Sequence, residues 1–200
     1  MTSLLQQEKI RWAGCAENQA TEAEKRCHVS IENEDLPSLE YLTVLRIGLF
    51  DEERDDLTKW EAAFNQDGFL PPLSLRNELL VMQELQNHAR RVLDGYPSTL
   101  KGDKNRLETQ EAKENINLTH ALKLLIEEKT ILHSLIESTE YVKELLMLDL
   151  GEAGEKIVAA EGPEHLQDYL HIELLPLLRH LEAVEKRQSE DTEDKIHEEL

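Results

Sequence analysis

The residues best spaced to hold a metal are Asp168 with His171 and Asp194 with His197, since a carboxylate and an imidazole at i and i+3 on one helix can reach a single ion. The fuller di-iron pattern of helical bundles needs Glu three residues before His, and none of the eight histidines has one. No matching helix supplies the remaining ligands, and no metal site is expected. His88, His120 and His133 fall on separate turns or helices, follow no nucleophile motif and read as partly exposed helix residues. No Gly-x-Ser-x-Gly elbow, phosphate loop or dinucleotide fingerprint occurs, which removes the usual sequence support for nucleophilic hydrolysis, nucleotide hydrolysis and hydride transfer. A Ser-His-Asp assembly without a local signature stays open but unsupported. No catalytic, cofactor-binding or metal residue is assigned.

Charge narrows the partners. The 42 acidic residues against 22 basic ones give a formal net charge of -20. Phosphate backbones and anionic membranes are repelled by such a chain, whereas basic protein segments, including lysine-bearing substrates, are attracted. Direct nucleic-acid or membrane partners are not expected, and no apolar run approaches the ~20 residues of a membrane span. Arg90 and Arg91, with nearby Tyr96, form one of the few positive spots and are the candidate partner-binding residues. Set against that is a plain solvated helix end, where cations are favoured by the helix dipole. Cys15 and Cys27 are not a close-spaced pair, and with no signal peptide they imply a reducing, intracellular setting.

The elements that must carry these side chains are helices, since Leu, Glu, Lys, Ala and Gln dominate and aromatics are 4%. The fold class is all-α: one bundle of about five to six helices around a long central helix, with a flexible N-terminus and an acidic C-terminal tail. The central helix should run unbroken from about Ala112 to Leu148, because Leu118, Ala121, Leu125, Glu128, Leu132, Leu135, Thr139, Val142 and Leu146 alternate by three and four. Glu128 and Thr139 interrupt that stripe and are expected at its edge, with their polar ends in water.

Ahead of it, Pro37 suits the first turn of a helix whose apolar positions are Leu39, Leu42, Leu45 and Ile47 and which stops at Gly48, and Asp51 caps a helix through Phe64. A loop follows to Leu73, and Ser74 caps a helix that ends at Gly95. Pro97 prevents resumption, and Ser98 or Thr99 caps a short turn towards Leu107. The tight link makes the 74–94 helix and the central helix antiparallel neighbours. Behind it, Gly151, Gly154, Gly162 and Pro163 punctuate a connector with at most one short helix, and a last helix from Pro163 to about Arg187 should be kinked by Pro176. The expected division is a poorly ordered segment over 1–36, a helical domain over 37–150, and a helical extension with an acidic tail over 151–200.

Three stretches, in order, resemble the helical substrate-binding domain of SET-domain protein methyltransferases of the Rubisco large-subunit lysine methyltransferase type. The related actin-histidine methyltransferases carry a similar domain. Tyr41-Leu42-Thr43-Val44-Leu45-Arg46-Ile47-Gly48 is similar to the family's Tyr-Leu-Arg-Leu-Gly helix end. Asn77-Glu78 opens a helix ending in Leu93-Asp94-Gly95-Tyr96-Pro97-Ser98-Thr99-Leu100, followed by Asp103 and Leu107, and this turn is the most specific match. Glu128-Lys129-Thr130-Ile131-Leu132-His133 is similar to a Glu-Lys-x-x-Leu-His element of the plant enzymes. The quoted motifs cover about 37–147.

The resemblance implies a helical lobe that holds a protein substrate beside a SET catalytic domain, in chloroplast or cytoplasm. S-adenosylmethionine is implied only for that SET domain, which is missing here: Asn87-His88 matches its cofactor dipeptide but sits mid-helix inside the matched module. The strand-like Cys27–Ile31 run would be a scrap of the SET domain on a truncated chain. The alternative is a freestanding acidic helical adaptor that binds partner proteins through its last helix.

Overall fold

Side-chain caps set the helix starts. Ser74 accepts from the Asn77 amide at 3.0 Å, Thr99 from Gly102 at 3.1 Å, Asn115 from Leu118 at 3.1 Å and Asp149 from Gly151 at 2.9 Å, each satisfying a donor that the first turn leaves without a partner. A computed structural model describes Leu36, residues 39–51 and residues 70–198. In chain order the helices are Leu39–Gly48 (α1), Leu75–Asp94 (α2), Leu100–Leu107 (α3), Gln110–Glu114 (α4), Ile116–Leu146 (α5), Leu150–Val158 (α6) and Leu175–Glu198 (α7). A 3-10 turn, Glu164–Leu166, and a π-helical stretch, Tyr169–Leu174, lead into α7. The described residues contain no strand, and the all-α expectation holds. The expected helix over Asp51–Phe64, the strand-like run at Cys27–Ile31 and the N-terminal segment fall outside the described residues.

Several sequence expectations change in detail. The central helix begins at Ile116, not Ala112, because Asn115 leaves helical geometry (φ -114, ψ 100) to cap α5, and Ala112 belongs to the separate α4. Asn caps well and competes poorly inside a helix, so its position divides the run. Gly151 and Gly154 lie within α6 and do not punctuate a connector. Pro176 has no amide to donate and its ring crowds the carbonyl a turn earlier; the six residues before α7 adopt the wider π winding that absorbs this. Gly162 does serve as a turn residue. It has φ 126, and a Cβ there would run into the Tyr141 ring, whose hydroxyl donates to the Glu161 carbonyl.

The chain packs around α2 and α5. Gln86 meets Glu140 and Lys143, while Tyr96 meets Glu128, so residue numbers rise along α2 as they fall along α5 and the pair is antiparallel. Val81, Met82 and Leu85 of α2 and Val142, Leu145 and Leu146 of α5 share one core with Leu42 of α1. That same core takes Ile157, Leu166, Leu170, Leu174, Leu177 and Leu178 from beyond Leu150. Along α5, Glu128 is exposed as expected, but Thr139 is fully buried and is not an edge residue. Its hydroxyl donates to the Leu135 carbonyl at 2.9 Å, which satisfies it without water. The inward position beside Glu128 belongs to Lys129.

Candidate functional site

Arg46 sits at the end of α1, where the apolar run that makes the helix also drags its guanidinium inside, with no exposed surface. Its Nε donates to Glu78 Oε2 at 2.9 Å and its Nη2 to Glu78 Oε1 at 2.8 Å, a two-pronged bond matched to the planar fork of arginine. Nη1 donates to the Leu70 carbonyl at 2.6 Å and to Glu173 Oε2 at 3.1 Å. Around this pair, Asn77 Nδ2 donates to the Arg46 carbonyl at 3.1 Å and the Leu70 amide donates to Thr43 Oγ1 at 3.0 Å. The ion pair therefore ties α1, the approach to α2, the start of α2 and the π stretch to one point. Burial alone would push the guanidinium down. The charge and hydrogen bonds of Glu78, with Tyr169 and Glu173, outweigh that and hold it above its ordinary value.

Tyr169 closes the cluster from the π stretch, donating to Glu78 Oε1 at 2.6 Å. Burial pushes its phenol well up and the charge of Glu78 pushes it further, so the hydroxyl stays a donor. Tyr169→Phe should cost about 1.5–3 kcal/mol, the range for a hydrogen bond to a charged group, while leaving the ring packed. Urea denaturation checks this, and a loss below about 0.5 kcal/mol would show the bond to be dispensable.

A second cluster joins α3 to α5. Lys129 donates to the Ser98 carbonyl at 2.8 Å, to Ser98 Oγ at 2.9 Å and to Asp103 Oδ2, and its ammonium lies 4.7 Å from the centre of the Tyr96 ring. Tyr96 in turn donates to Glu128 Oε2 at 2.9 Å. Thr99, capping α3, and Pro97 fix the turn that aims Ser98 and Asp103 at Lys129.

Burial raises the Asp103 carboxyl, but hydrogen bonds from Lys129 and Ser98, with the charges of Lys129 and Arg106, leave it below the ordinary carboxylate range. In the unfolded chain a carboxyl of about 3.9 takes up its proton first, so the unfolded state gains protons as pH falls and stability drops with it. The contribution of this pair is expected to be constant above about pH 5 and lost progressively below about pH 4. Denaturant midpoints measured against pH should show this fall, and Asp103→Asn should flatten it.

The candidate partner-binding residues separate. Arg90 is exposed. Arg91 pairs with Glu84 at 2.7 Å on the surface of α2, and Tyr96 is drawn to α5 by Glu128 and Lys129. Sequence reasoning passed over Arg46, Glu78, Asp103, Lys129, Tyr169 and Glu173. The first four stand inside the quoted motifs, so the signal was present as residues without partners. Tyr169 and Glu173 had none. The charged centres of both clusters are enclosed, with Arg46, Glu78, Asp103 and Lys129 each at most 3% exposed and hydrogen-bonded within the protein, while the buried Asn77 Oδ1 beside Arg46 has no partner. Such groups hold helices in register and cannot touch a ligand. Among the described residues no three His, Cys, Asp or Glu side chains group closely enough to hold a metal ion, and no helix is long and apolar enough to cross a membrane.

A family model for Rubisco LSMT substrate-binding domains matches residues 2–132. The chain belongs to that family. No curated protein matches the chain. The Rubisco LSMT substrate-binding match reaches back to residue 2, well before the motifs that carried the resemblance, and stops at Leu132 within α5. It contains Arg46, Glu78, Asp103 and Lys129, so the family's motif residues are here the pins of the bundle. The family supports a role in binding a protein substrate.

Proposed function

We propose that the chain is the noncatalytic, protein-substrate-binding lobe of a SET-domain protein-lysine methyltransferase of the Rubisco LSMT type. The observation that carries this reading is the family match over 2–132 on a chain whose motif residues are consumed in buried ion clusters. Rigid helices so pinned present fixed outer faces, and a substrate held by them loses its freedom before it reaches the catalytic centre. A net charge of -20 favours substrates with basic, lysine-bearing segments.

Methyl transfer from S-adenosylmethionine belongs, on this reading, to a SET domain outside these residues. The one Asn-His dipeptide supports that division. Asn87 accepts from Gln83 Nε2 at 3.0 Å, and His88 faces solvent in the middle of α2. To test the reading, a SET domain of this type stripped of its own helical lobe would be assayed with the chain added or fused. The KM for the protein substrate should fall roughly tenfold or more while kcat on a free lysine peptide stays the same. An unchanged protein KM would overturn the reading.

A further inference from the structure

We draw no further inference here: the strongest candidate, the apolar surface patch on the first half of α5 where Ile116 and Leu124 stand 67% and 57% exposed on one side of the helix, is a helix face for which nothing in the structure shows what covers it.

Discussion

A chain ending at Leu148 is expected to lose cooperative unfolding altogether. The cut leaves α1 to α5 and the whole of the family match, yet it removes Ile157, Leu166, Leu170, Leu174, Leu177 and Leu178 from the core that Leu42, Val81 and Val142 share. Each fully buried aliphatic side chain is worth about 1.5–3 kcal/mol. Six of them come to about 9–18 kcal/mol, as large as the ~5–15 kcal/mol by which a whole domain is typically stable. Deletion also strips Glu78 of Tyr169 and Arg46 of Glu173. The shortened chain should keep helical circular dichroism from α5, bind a hydrophobic dye and melt without a sharp transition. A two-state melt within a few degrees of the full chain would show that the residues after 148 are an appendage.

Arg46→Ala should destabilise the fold by about 3–5 kcal/mol, because it leaves the Glu78 carboxylate buried without its counter-charge and frees the Leu70 carbonyl. Arg46→Lys should be nearly as damaging, since an ammonium cannot span both Glu78 oxygens and reach Leu70 as well. Exposed ion pairs give the contrast: Arg91→Ala, which breaks only the surface bond to Glu84, should cost about 0–1 kcal/mol. Urea midpoints with unchanged slopes would establish the order. An Arg46→Ala loss no larger than that of Arg91→Ala would refute the pinning role.

What could be read from the sequence followed from local rules. Ser74 and Thr99 start their helices because their hydroxyls can reach the amide three residues on, and the antiparallel α2–α5 pair follows from a short linker and two apolar faces. Periodicity failed where neighbours compete. Glu128 and Lys129 are both charged and one step apart on the helix, and a stripe drawn through apolar residues cannot say which of them turns inward; Asp103 and Ser98 decide it for Lys129. Thr139 broke the stripe on paper because a hydroxyl counts as polar, although it satisfies itself on the Leu135 carbonyl. Gly151 and Gly154 looked like punctuation because propensity is a weak prior that packing overrides. The motifs contained Arg46, Glu78, Asp103 and Lys129, but which carboxylate meets which cation is a property of the fold. Tyr169 and Glu173 join Arg46 and Glu78 from about a hundred residues away, with no periodic signal to announce them.

The central claim is that the family's charged motif residues hold a docking platform together and do not themselves handle substrate. The most direct test is the pair Lys129→Met with Asp103→Leu, which exchanges the buried ion pair for apolar bulk. Removing Lys129 alone should cost about 3–5 kcal/mol, and adding the second change should recover most of that loss. The recovered protein should still lower the protein KM of a lobe-less SET domain as the unmodified chain does. A double variant as stable as the original that no longer lowers KM would contradict the account.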